Sequence, residues 1–144
     1  MASAETDYDP RYLAGILHFN HRDFFEAHEV WEDLWMESTA PERRFYQALI
    51  QAAVALYHFG NGNLRGAAKL YRSSRDYMAP YASPYLGLDT AAFWRQMERC
   101  FAGVVDRADP DPALRPAEQL MPVITLEPPP SAWPDLAEAE ENEE

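Results

Sequence analysis

Proline and glycine punctuate the first two thirds of this chain at Pro10, Pro41, Gly60 to Gly62 and Pro80, and between those points apolar residues recur at helical spacing. Asp9 followed by Pro10 reads as a capping residue with proline at the first helical position, opening a helix to about Phe19. Asn20 stops that helix and caps a second, from His21 to about Glu37. After the turn Ser38-Thr-Ala-Pro41, a third runs from Pro41 to about Phe59. Asn63 caps a fourth that reaches Ala79, and Asp89 caps a fifth that ends near Arg107. Linkers of a few residues make successive helices antiparallel, so the expected fold is all-α: a compact bundle of about five helices around a central hairpin of the second and third.

Charge divides the chain at the same place as the helical pattern ends. The 144 residues carry a formal charge of −12, but residues 1–107 hold 14 acidic against 11 basic groups, whereas residues 108–144 hold 10 acidic groups and only Arg115. Eight of the 12 prolines also fall in that last segment. The expected organisation is a helical domain over 1–107 and an extended, acidic, Pro-rich tail over 108–144, partly docked or disordered. Within the tail, Pro122-Val-Ile-Thr-Leu-Glu127 is apolar enough to lie along the body, with Trp133 as a candidate anchor.

These features exclude several classes of function. The longest uncharged stretch, Phe45 to Leu64, is interrupted by Gln47, Gln51, His58 and Asn61, so no membrane span is expected. The first residues lack a basic region leading into an apolar run, which argues against a secretory signal and for a cytoplasmic protein. A pI near 4.6 and a body that is not basic argue against nucleic acid as a partner. Cys100 stands alone and has no identifiable His partner, so it reads as a packing residue. Arg65, Lys69 and Arg72 form one stripe on the fourth helix, with Arg75 near it, suited to an anion or to the acidic tail but more often a charged outer face.

Chemistry concentrates in Phe24-Phe-Glu-Ala-His28-Glu-Val-Trp-Glu32-Asp-Leu-Trp35. At about 100° per residue, His28 and Glu32 fall among Phe24, Phe25, Trp31 and Trp35, whereas Glu26, Glu29 and Asp33 lie on the opposite side. A carboxylate on an aromatic face requires a partner. The third helix supplies candidates, because Gln47, Gln51, Val54 and His58 share one stripe. Antiparallel pairing about the turn places Glu32 near Gln47 and Gln51, and His28 near Gln51 and Val54, with His21 and His58 at one end. The expectation is a buried polar cluster of His28, Glu32, Gln47 and Gln51 walled by aromatic residues.

The same residues carry a resemblance. His28-Glu-Val-Trp-Glu32-Asp-Leu-Trp35 fits the pattern His-x-x-x-Glu-x-x-Trp/Tyr of a bacterial and archaeal family, domain of unknown function 309, and the block from Phe45 to His58 is similar to the family's next block. The likeness extends over roughly residues 12–100. It implies an all-helical fold and a metal-binding role for His28 and Glu32, with no established reaction.

On chemistry alone, His and Glu four residues apart on one helix project side by side and can share a divalent ion. Catalytic zinc usually takes three protein ligands, so His58 is the third candidate, with His21 and His18 behind it and Gln47 and Gln51 as ligand-binding amides. Three readings stay open: a structural network in which Glu32 accepts from His28 and a glutamine, a divalent-metal or small-ligand site that extends to metal-dependent hydrolysis, and a metal-free acid/base pair. The rival class is a non-catalytic helical interaction module. The expected partner is a small molecule or a protein, with a homo-oligomer as a further candidate.

Overall fold

The computed structural model describes residues 8–136. Five helices form the body: α1 (Pro10–Asn20), α2 (Phe24–Glu37), α3 (Glu42–Gly60), α4 (Leu64–Met78) and α5 (Thr90–Val105). Each packs on the next in chain order, as short connections demand, and no strand is formed among the described residues. The fold is therefore the expected all-α bundle, with α2 and α3 as its antiparallel hairpin. No helix among the described residues is long and apolar enough to cross a membrane.

Local chemistry accounts for most of the helix ends. The Asp9 carboxylate accepts from the Arg11 backbone N–H at 2.8 Å, with Pro10 inside the first turn. Asn63 and Asp89 cap α4 and α5 in the same way, accepting from Gly66 at 3.0 Å and Ala92 at 2.9 Å. The start of α2 differs from expectation. His21 and Arg22 lie in the turn, with Arg22 at a left-handed φ of 68°, and the helix begins at Phe24. Asn20 closes α1, and its side chain is occupied elsewhere, so it does not cap α2.

Trp31 sits at the centre of the core, fully buried against Phe19 and donating its indole N–H to the Tyr12 carbonyl at 3.2 Å. α1 can approach it because position 15 is glycine: a Cβ there would lie 1.9 Å from the Trp31 indole nitrogen. On the other side of the hairpin, Ala48, Ala52 and Ala55 are fully buried on α3, and Ser74 of α4 donates to the Ala48 carbonyl at 2.6 Å. Small side chains thus let α3 lie close to its neighbours.

After α5 the chain turns back along that helix. Leu114 packs beside Gly103, Gln96 exchanges hydrogen bonds with the Val123 backbone at 2.9 and 3.2 Å, and Leu126 forms a single antiparallel bridge with Leu88. Asn20 brackets Ile124, accepting from its N–H at 2.8 Å and donating to its C=O at 2.9 Å. Pro122, Ile124 and Leu126 face the body while Val123, Thr125 and Glu127 face outward, a period of two that suits an extended segment. The anchors are Ile124 and Leu126. Trp133, the anchor expected from sequence, is 42% exposed. The final Glu-rich residues, 137–144, lie outside the described residues.

Candidate functional site

α2 buries Phe24, Ala27, Trp31 and Leu34, a stripe that faces both α1 and α3. His28 and Glu32 sit at the edge of that stripe. The His28 side chain is 19% exposed and that of Glu32 51%, so the expectation of a mostly inaccessible carboxylate is corrected: Glu32 stands at the rim. The reason is rotational. Two neighbouring helices compete for the apolar face of α2, and α1 draws its centre toward Ala27 and Trp31, which turns Phe25 and Glu32 outward.

The pair itself is assembled as expected. His28 Nε2 lies 3.5 Å from Glu32 Oε2. The other ring nitrogen, Nδ1, lies 2.9 Å from the Phe25 carbonyl oxygen. A carbonyl only accepts, so Nδ1 is the nitrogen that carries a proton, and Nε2 is the nitrogen on the carboxylate's side of the ring. The Phe25 ring lies 5.1 Å from the imidazole and 5.6 Å from the Tyr57 ring of α3, and both phenyl groups remain exposed.

Two contacts establish the hairpin register. At one end the Arg43 guanidinium stacks on the Trp35 ring at 4.0 Å and donates to the Trp35 and Ser38 carbonyls. At the other, Phe25 meets Tyr57. Interpolation between these two contacts sets Gln47 and Gln51 opposite the stretch of α2 that holds His28 and Glu32, but neither amide hydrogen-bonds to the pair among the described residues. Two polar atoms on these elements are shut off from solvent without a hydrogen-bond partner: Gln51 Oε1 and Trp35 Nε1. An orphaned buried amide oxygen on an otherwise well-satisfied hairpin requires a reason.

His58 is held apart from the pair. It lies at the last turn of α3, where its Nδ1 is 3.4 Å from the Asn63 amide. His21 is exposed in the α1–α2 turn, and His18 is buried in α1 with its Nδ1 unpartnered. No group of three or more His, Cys, Asp or Glu side chains gathers as a metal set among the described residues, so the expected trio of His28, Glu32 and His58 is not brought together. Cys100 is buried in α5, where desolvation pushes its thiol up to about 11 and keeps it protonated and inert.

Sequence reasoning missed the Arg43–Trp35 stack, whose only sequence signal was a cation just past the hairpin turn. On α4, Arg75 leaves the basic stripe to pair with Glu98 at 3.0 Å.

Residues 12–70 match the family described as domain of unknown function (DUF309), a shorter stretch than the 12–100 expected from sequence. The chain is similar to the uncharacterized protein YpuF of Bacillus subtilis (strain 168), at 39% identity over 69 residues that cover 46% of this chain and 40% of that protein. It is also similar to an uncharacterized protein of Aquifex aeolicus (strain VF5), at 31% identity over 72 residues that cover 49% of this chain and 22% of its relative. The matches thus span less than half the length of each relative. The match takes in most of α1, all of α2 and α3 and the first turns of α4, and with them His28, Glu32, Gln47, Gln51 and His58.

Proposed function

We propose that this protein is a binding protein whose site is the His28–Glu32 edge of the α2–α3 hairpin, and that the site takes a divalent cation. The observation that carries the reading is the orientation of His28. With Nδ1 donating to the Phe25 carbonyl, a neutral ring leaves the Nε2 lone pair on the side of the Glu32 carboxylate, 3.5 Å away, and two such acceptors are held together stably only by a proton or a cation. A ring nitrogen tied to a backbone carbonyl is also the usual outer support of a metal-ligating histidine. Gln51 Oε1, buried without a hydrogen-bond partner on the facing helix, is the neutral oxygen we assign as a third donor. The Glu32 side of the pair is exposed, which would leave a bound ion open to a small anionic ligand. A bound ion would supply charge attraction and Lewis acidity there. The reading commits to binding and assigns no reaction.

The test uses untagged, chelator-treated protein with zinc, manganese and cobalt salts added singly. A cation that binds the folded state raises the melting temperature by mass action, and His28→Ala abolishes that rise. Equal responses in wild type and His28→Ala overturn the proposal. The rival reading, an interaction module, draws on the exposed Phe25–Tyr57 pair beside the site and on exposed Met36.

A further inference from the structure

Away from the hairpin, the first turns of α4 and the C-terminal end of α5 enclose an open cleft of about 690 Å³. Its rim carries four cations, Arg65, Lys69 and Arg72 from α4 and Arg107 from just beyond α5, and its floor is apolar, with Ala68 and Val104. No carboxylate lines it among the described residues, and none of the four cations forms an ion pair there. That is unusual for this chain, whose acidic groups outnumber its basic ones 24 to 12.

The arrangement differs from an ordinary solvated face. Arg65, Lys69 and Arg72 follow one another at intervals of four and three residues, which places like charges side by side on one face, a destabilising pattern for a helix. Asp76, one turn beyond Arg72, does not reach it, and Arg75 turns to Glu98 instead. The stripe spans about 10 Å along α4. Arg107 faces it from just beyond the end of α5, so the charges converge on a volume and do not merely line a surface.

We infer that this cleft binds a small organic oligophosphate, with the phosphates on the four cations and the organic part against Ala68 and Val104. Three guanidinium forks and one ammonium match successive phosphate oxygens better than isolated carboxylates, because guanidinium pairs bidentately with phosphate. The segment after α5 runs back past Gln96 and Leu88 to Tyr8, so Glu127 and Pro128 lie at the opposite end of α5 from the cleft.

The test is a titration of the full-length, isotope-labelled protein with inorganic pyrophosphate, read from amide chemical shifts at low salt. The expected result is saturable binding with a Kd below about 1 mM, shifts centred on residues 65–72 and 104–110, and weakening as salt screens the site. Arg72→Gln combined with Arg107→Gln lowers the affinity roughly tenfold or more, and Lys69→Gln alone lowers it less. These side chains are exposed, so the variants keep the fold. Absent shifts, or an affinity unchanged in the double variant, overturn the assignment. Citrate binding as tightly as pyrophosphate overturns the phosphate preference. A synthetic peptide of residues 137–144 that displaces pyrophosphate at equal concentration assigns the cleft to the chain's own tail and overturns it as well.

Discussion

Asn20 and Ile124, 104 positions apart, exchange two hydrogen bonds: the Asn20 side-chain oxygen accepts from the Ile124 N–H at 2.8 Å and its amide donates to the Ile124 carbonyl at 2.9 Å. The side chain acts as a strand partner for one residue of an extended segment that Gln96 holds at Val123 and Leu88 bridges at Leu126. Because Ile124 is only 2% exposed, its backbone groups have little recourse to water once that partner is removed.

Asn20→Ala is therefore expected to lose about 1–3 kcal/mol, the penalty of leaving a backbone donor and acceptor unsatisfied. Ile124→Ala is expected to lose about 2–4 kcal/mol through the cavity it leaves in the core. Urea unfolding measures both, and losses of a few tenths in each variant would show that the 122–127 segment contributes little to the folded body.

Replacement of Glu32 tests its placement at the rim. Its side chain is half exposed, and pairs of this kind separated by four residues on a helix contribute about 0.5 kcal/mol or less. Glu32→Gln is thus expected to change unfolding stability by no more than about 0.5 kcal/mol in metal-free buffer. A loss of several kcal/mol would mean that the carboxylate is buried and held by a network, contrary to the geometry.

Alkaline pH is expected to weaken the fold. Burial pushes the Cys100 thiol up to about 11 and Tyr46 up to about 12, and burial raises Tyr12 and Tyr71 in the same direction. The folded state holds these protons more tightly than the unfolded chain, so their contribution is complete below the unfolded thiol value of about 8.5 and declines as pH rises through the folded values. Unfolding free energy measured from pH 7 to 11 is expected to fall above about pH 9. Replacing Cys100 by Ala removes the earliest part of that decline. A flat profile to pH 11 would show that these groups titrate alike in both states.

How much was legible in the sequence varies by residue. Asp9, Asn63 and Asp89 act through backbone donors two or three positions away, so their capping roles follow from local sequence alone. Asn20 looks equally like a cap, yet it is claimed by Ile124, a contact no local rule contains. The hairpin register was readable because an antiparallel hairpin leaves one free parameter, the position of its turn, but the hydrogen bonds expected from Gln47 and Gln51 to His28 and Glu32 are not formed among the described residues. His58 entered the ligand set through its shared stripe on α3, although the same hairpin pairing already placed it toward His21, at the end of the cluster away from Glu32.

The sequence by itself determined the five helices, their order and the side-by-side projection of His28 and Glu32, because helical period, caps and breakers act within a few residues. Tertiary structure alone decided how far α2 is rotated toward α1, and so that Glu32 stands at the rim. It also decided that Arg107 joins Arg65, Lys69 and Arg72 around one cleft, and that the segment after α5 returns along it. Each of those outcomes depends on which of several apolar surfaces pack together, a competition settled by shape and total burial across the whole molecule and not by any neighbourhood of the chain.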